Sequence, residues 1–383
     1  MWLALTILSV LAALLHLLLM LRSALGLRTM RSLPRCGRVD GPLVSIIVPA
    51  RNEVENIGSC VRSILGQSYA ELELIVVDDS STDGTREAAL AAASGDPRAR
   101  VIRAPSPPDG WVGKSWACWI GYRESRGEIL LFVDADSRLA PWAVAGVVEE
   151  IASRGVDVVT AVPTYACRTL ACGAVEVALT STIRAFCPYW RVSEPGGSPW
   201  VYGGFFAVKR AAYEAVGEHE SVRWSTVEDR DLARLLAERG YSIEMVRGQG
   251  TVKFCWANGF AEALEAIARI SSRDAPLETW KALLACSLVA AAWLLPPASL
   301  IASAFGPAYC AASSAIALAL ETCHESLALL SGEVEASPLS ILLAPLGGLI
   351  VALGVWRGHL VKAGRRAIEW KGREVSLLPP EQL

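Results

Sequence analysis

The chain is poor in residues that build metal centres: only four of its 383 residues are histidine, and its ten cysteines form no C-x-x-C pair. No cysteine and histidine stand at zinc-ligand spacing, so the pattern excludes a structural zinc site. Scattered in this way, each cysteine reads as a small buried hydrophobe and not as a disulfide partner. That usage suits a reducing, cytosolic location for the soluble part. Charge of one sign is also missing. With 36 Lys and Arg against 39 Asp and Glu, the net charge is -3 and the pI about 5.9, which leaves no electrostatic footprint for nucleic acid. A Walker loop is absent too. Gly113-Lys114-Ser115 resembles its end, but the glycine required five residues earlier is Pro108. What the chain does have is hydrophobicity: 52% apolar residues and a mean hydropathy of +0.36, beside 20% charged residues. That mixture points to a soluble domain carried on membrane segments.

Trp2 to about Leu21 is an uncharged apolar run long enough to span a bilayer, giving an expected anchor over residues 1–27. Arg22, Arg28, Arg31, Arg35 and Arg38 follow it, which places the next domain in the cytoplasm by the positive-inside rule. A cleaved signal peptide is the other reading, but its charge would precede the apolar run. Apolar sequence returns over residues 276–360. Leu283–Phe305 and Pro338–Trp356 each could span, while Ala308–Leu330 is interrupted by Glu321, His324 and Glu325. The basic tail, 361–383, should be cytoplasmic, so an even number of crossings is expected, with the middle segment re-entrant or interfacial. Pro296-Pro297 should kink the first of these spans.

Between them, residues 42–275 alternate short β-branched runs with helical stretches. The runs are Leu43–Val48, Leu72–Val77, Val101–Ile102 and Ile129–Val133. This predicts an α/β domain of parallel βαβ units, whose ligands bind at the carboxyl ends of the strands. The first strand ends in Pro49-Ala50-Arg51-Asn52-Glu53 and the second in Asp78-Asp79-Ser80-Ser81-Thr82-Asp83-Gly84-Thr85. A carboxylate there can accept from a uracil N–H or ribose hydroxyls, although Asp83 alone could be a helix cap. The fourth strand runs into Asp134-Ala135-Asp136. Residues i and i+2 of an extended segment share a face, so two carboxylates would converge there and repel unless a cation lies between them. Alone, such a pair reads equally as a turn. With Lys114 near a helix start, it forms a site for Mg²⁺ or Mn²⁺ bridging a diphosphate.

The ordered set "PARNE", "DDSSTDGT", "GWVGKSWA", "DADS" and "VEDRDLARLL" resembles family 2 glycosyltransferases of the nucleotide-sugar-binding GT-A fold, a Rossmann-like architecture. "GWVGKSWA", "GEHESV", "VED" and the terminal "WKGRE" resemble its membrane-bound subgroup associated with hopanoid and carotenoid glycosylation. The resemblance implies a cytoplasmic catalytic domain with one N-terminal and two to three C-terminal transmembrane helices. It implies that Pro49, Arg51, Glu53, Asp78 and Asp79 cradle the nucleoside, that Lys114 and Glu228 serve the donor, and that Asp134 and Asp136 bring in the metal. Gly203-Gly204-Phe205-Phe206 resembles the sugar-pocket loop, with Gly204 approaching the ring; a tight turn before Ala207–Lys209 is the other reading. Asp229 is the expected general base of an inverting transfer. Asp231 is expected to face solvent, and His219 and Glu220 stay open.

Processive members carry Gln-x-x-Arg-Trp after the Glu-Asp pair; here the only Arg-Trp, Arg223-Trp224, precedes it and lacks the Gln. Single transfer is therefore expected, from a nucleoside diphosphate donor such as a UDP-linked hexose to a lipid hydroxyl. Transfer to a polyprenyl phosphate is the alternative within enzymes, and a non-catalytic sugar-nucleotide-binding scaffold the alternative outside them. Over Phe260–Ile270, Phe260, Leu264, Ile267 and Ala268 share one helical face, fitting either a helix at the bilayer surface or one covering the sheet.

Overall fold

The computed structural model describes residues 1–37, 39–194, 196–255, 259–273, 275, 278–364, 368–370 and 373–375. Arg38 and the tail residues Arg365, Arg366 and Lys371, on which the charge expectations rested, lie outside the described residues. The chain opens with helix α1 (Trp2–Thr29). There follow β1 (Val44–Ala50), α2 (Ile57–Leu65), β2 (Leu72–Asp78), α3 (Thr85–Ala93), β3 (Ala99–Arg103), α4 (Gly113–Arg123), β4 (Ile129–Val133) and β5 (Ser137–Leu139). Next come α5 (Ala143–Arg154), β6 (Val158–Val162), β7 (Thr164–Ala166), α6 (Leu170–Phe186), β8 (Phe205–Lys209), α7 (Arg210–Ala215), α8 (Glu228–Glu238), β9 (Ile243–Arg247) and β10 (Val252–Phe254). Then come α9 (Phe260–Ser272), α10 (Thr279–Ser303), α11 (Ala308–Leu330), β11 (Val334–Glu335), α12 (Ser340–Lys362), β12 (Ile368–Trp370) and β13 (Arg373–Val375). They group into two units, one of residues 1–29, 165–188 and 255–368, the other of residues 30–164, 189–254 and 369–383.

The second unit is built on a seven-stranded sheet in the order β3-β2-β1-β4-β8-β6-β9. Every residue of β2 and β4 is buried, and β1 is buried but for one position. Strands buried along their length are covered on both faces, and the polar interruptions pair internally, Ser45 Oγ donating to Glu73 Oε1 at 2.7 Å. The helices supply the cover: α2 buries Ile57, Cys60, Val61 and Ile64, one stripe at 3.6-residue spacing. The expected parallel pairing holds from β3 to β4. It fails at β8, which runs antiparallel to both β4 and β6. Phe205 and Phe206 therefore belong to a buried strand, and Phe206 stacks on Phe132 of β4. Only the two glycines before them border the loop.

The other unit is helical. Among the described residues three helices are long and apolar enough to cross a membrane: α1, α10 and α12. α10 runs unbroken through Pro296 and Pro297. α11 is also one continuous helix, and Glu321, His324 and Glu325 turn inward, each 1% exposed. Three pairs join α1 to α11: Thr6 with Cys310, Ser9 with Ser314, and His16 with His324. Both numbers rise together, so the two helices run in the same direction. Ala12, Ala13 and Ala317 fill the seam between the polar pairs, where small residues let helix backbones approach closely.

The apolar face of α9 packs on helices of this unit: Ala263 and Ile267 cluster with Val175, Ala178, Trp293 and Val351. Cys167 and Cys172 form a disulfide, against the expectation of unpaired cysteines. Cys172 lies in the first turn of α6, which brings its Cα within 5.4 Å of that of Cys167, a bridgeable separation. The small-hydrophobe reading holds for Cys60, Cys118 and Cys310, which are buried and free.

Candidate active site

β1 and β2 end side by side, Ala50 opposite Asp78, and their loops interlock. The Asn52 N–H donates to Ser81 Oγ at 3.0 Å, and the Thr82 N–H donates to Asn52 Oδ1 at 3.0 Å. Arg51 donates to the carbonyl oxygen of Asp79 at 2.7 Å. Asn52 and Ser80 both adopt positive φ, 51° and 55°, a cost of order 1–3 kcal/mol each that clusters at functional loops. Asp78 and Asp79 are buried. Asp78 Oδ1 accepts the Ser81 N–H, and Glu53 accepts from Asn56. The N-cap of α3 is Gly84, and Asp83, one residue earlier, supports the helix start instead, its Oδ1 accepting the Thr85 N–H at 3.0 Å.

β4 stops at Val133, so Asp134 and Asp136 lie in a turn and not on an extended strand. The Ser137 N–H closes it by donating to the Asp134 carbonyl at 3.0 Å. The turn buries Ala135 and leaves both carboxylates half-buried. The premise that strand pleating brings them together is thus corrected: the two stand in a turn, and of them Asp134 lines the pocket described below.

Lys114, in the first turn of α4, sits at the centre of the charges. Its Nζ lies 2.9 Å from Asp134 Oδ1 and 2.9 Å from Glu228 Oε1. Burial disfavours its charge, but Asp134 and then Glu228 outweigh that and hold its pKa well above the ordinary lysine value. Glu228 and Asp229 open α8, where a helix N-terminus favours carboxylates. Asp229 Oδ2 accepts the Gly203 N–H at 2.9 Å and Oδ1 accepts the Arg230 N–H at 2.8 Å. Burial, reinforced by Glu228, pushes the Asp229 carboxyl above the usual carboxylate range. Gly203 is held in place in turn. Thr160 Oγ1 accepts from the Tyr202 N–H and donates to the Phe205 carbonyl.

One pocket gathers these groups, lined by Pro49, Lys114, Asp134, Gly203, Glu228 and Asp229 among others. Arg51, Glu53, Asp78 and Asp79 stand on the adjoining β1 and β2 loops. Gly204 follows Gly203, and its carbonyl accepts from the Asp134 N–H and Ser137 Oγ. Asp231 is a correction. It is 7% exposed, on the face of α8 that also buries Leu232, because the amphipathic stripe passes through it.

The pocket also contains residues that motif reading did not place there. Cys118 follows Lys114 by one helical turn, a spacing legible once α4 is assumed. His219 is buried, with Nδ1 2.6 Å from the Tyr213 hydroxyl. That hydroxyl also accepts the His219 backbone N–H at 3.0 Å. Burial, and then Lys114, lower the His219 pKa to about 3, so the ring stays neutral. Glu220 instead reaches Arg223 at 4.0 Å on the surface.

Residues 45–217 match the family model described as glycosyl transferase family 2. Among curated relatives, the 4,4'-diaponeurosporenoate glycosyltransferase of Staphylococcus haemolyticus is 38% identical over 98 residues, 25% of this chain and 24% of its own. The enzyme of that name from Staphylococcus aureus is 27% identical over 226 residues, 58% of this chain and 59% of its own. The chain thus spans about a quarter to three fifths of the length of these relatives. Among solved structures, the mannosyltransferase PcManGT from Pyrobaculum calidifontis, in complex with GDP-Man and Mn²⁺, superposes with a TM-score of 0.56 at 19% identity. That likeness covers 94% of this chain and 99% of the other, and it is one of fold.

Proposed function

We propose that the chain is a membrane-anchored inverting glycosyltransferase. It moves one hexose from a nucleoside diphosphate donor, UDP-linked in the first instance, to a lipid hydroxyl at the cytoplasmic leaflet. The observation that carries this reading is the convergence of Lys114, Asp134, Glu228 and Asp229 on one pocket at the strand ends of a family 2 domain. The apolar helices α1, α10 and α12 support the lipid acceptor, as do relatives named for 4,4'-diaponeurosporenoate.

Asp229 is the base. Its carboxylate takes the proton of the acceptor hydroxyl as that oxygen bonds to the anomeric carbon. The bond from that carbon to the diphosphate oxygen breaks, and the electron pair leaves with the nucleoside diphosphate. One displacement inverts the centre. The Gly203 N–H fixes one carboxylate oxygen and leaves the other, already bonded to Arg230, at the pocket. Lys114 offers its ammonium to the departing diphosphate.

A divalent cation fits the charge of the site. Asp134, Glu228 and Asp229 oppose a single ammonium, and Asp136 stands one residue along the turn from Ala135. Among the described residues no three His, Cys, Asp or Glu form a complete metal site, so phosphate oxygens would complete the coordination. Asp134 and Asp136 would hold Mg²⁺ or Mn²⁺, which supplies charge neutralisation to the leaving group.

The test incubates membranes containing the chain with UDP- and GDP-linked sugars and analyses the lipid extract by mass spectrometry. A hexose-bearing lipid is expected, lost with EDTA and reduced about 10²–10⁴-fold in Asp229→Asn. Substantial turnover in Asp229→Asn would favour a polyprenyl phosphate acceptor, which needs no base. No labelled lipid from any donor would overturn the reading.

A further inference from the structure

Lys114 and a divalent cation have claims on the same carboxylate. The ammonium is bonded to Asp134 Oδ1 while also bonded to Glu228, each at 2.9 Å. The two anchors differ. The Glu228 side chain is 6% exposed and fixed at the start of α8, whereas the Asp134 side chain is 33% exposed and faces the pocket. A cation approaching Asp134 alone would meet an ammonium already there, in surroundings where repulsion is poorly screened. A diphosphate changes the balance. It offers the ammonium new anionic partners at the N-terminus of α4, and Glu228 keeps the lysine stem from leaving the pocket.

We propose that Lys114 is an internal counter-ion that keeps Mg²⁺ or Mn²⁺ off Asp134 until the nucleoside diphosphate arrives. The ammonium then exchanges its bond to Asp134 for the phosphate oxygens and stays tied to Glu228, and Asp134 joins Asp136 in holding the metal. Metal and donor binding become coupled, and by linkage each strengthens the other. Glu228 is a positioning residue in this scheme, acting through Lys114. The inference rests on the glycosyl-transfer reading of this pocket.

The test is Mn²⁺ binding to the purified full-length chain in detergent, followed by the electron paramagnetic resonance signal of free Mn²⁺, with and without UDP or GDP. The native chain should bind Mn²⁺ at least about tenfold more tightly with nucleotide than without. Lys114→Met should bind Mn²⁺ about tenfold more tightly than the native chain when nucleotide is absent, and lose most of the nucleotide effect. Because Lys114→Met leaves Glu228 buried and uncompensated, the double variant Lys114→Met/Glu228→Gln removes both charges and should behave alike. Adding Asp136→Ala should abolish the gained affinity. Unchanged or weaker nucleotide-free Mn²⁺ binding in both lysine variants, with the nucleotide effect intact, would overturn the counter-ion role and leave the transfer reading standing. Absence of Mn²⁺ binding to the native chain with either nucleotide, together with sugar transfer in EDTA, would overturn the metal assignment beneath both.

Discussion

Asp229 shows how neighbours set the chemistry of a single residue. Burial and then Glu228 raise its carboxyl pKa, so the base is protonated at a higher pH than an ordinary aspartate. Transfer should therefore fall as pH drops through that raised value. Glu228→Gln removes the second cause and leaves burial in place, so the acid limb of the pH–rate profile should move to lower pH. A limb that stays fixed in Glu228→Gln would remove Asp229 from the role of base. His219, held neutral with a pKa of about 3, should contribute no limb between pH 5 and 8. At this scale the sequence showed which side chains were present and not how they pair. That Lys114 bonds both Asp134 and Glu228 could not be read from positions 20 and 114 residues apart. Asp231 was misjudged for the same reason. Acidity suggested solvent, while the stripe of α8 decided burial.

Between elements, the loop entering β8 is fixed to the start of α8 by the Gly203 N–H, which donates to the Asp229 carboxylate. A methyl on Gly203 would stand 2.9 Å from Asp229 Oδ2, closer than real contacts allow. Gly203→Ala should thus displace the base and lower kcat about 10²-fold while donor affinity holds, separable by initial rates and nucleotide titration. In the helical unit, Arg184 of α6 faces Glu333 at 3.5 Å, both within 1% exposure. Arg184→Leu removes the charge facing that buried carboxylate and should cost about 3–5 kcal/mol, read from thermal unfolding in detergent. Arg184→Met/Glu333→Gln should recover most of it. The strands were legible because continuous β-branched runs admit little else, and Ile129–Val133 fell where expected. The reversal of β8 was not, since strand direction is set by packing across the sheet and not by its own sequence. α6 went unread because Glu176 and Arg184 interrupt its apolar pattern, although Thr169 caps it by accepting the Cys172 N–H at 3.1 Å.

For the molecule as a whole, hydropathy made the anchors legible but not their neighbours. α11 looked doubtful because its charges were counted as outward-facing, whereas they point into the helical unit. Its pairing with α1 also bears on topology. A Cβ on Gly306 would meet the Trp2 ring, so the turn before α11 lies beside the amino terminus. A cysteine introduced at Gly306 should therefore react with impermeant reagents from the same side as one at Met1. Labelling of Met1 and Gly306 from different faces would refute the parallel arrangement. The same seam governs how the protein is made. Ser9 and Ser314 are 305 residues apart, and at typical synthesis rates the second follows the first by about 15–60 s. Through that interval α1 waits in the membrane with His16 and Ser9 still lacking their partners on α11. Its retention there rests on its own apolar length, 28 residues, until translation delivers the helix that completes it.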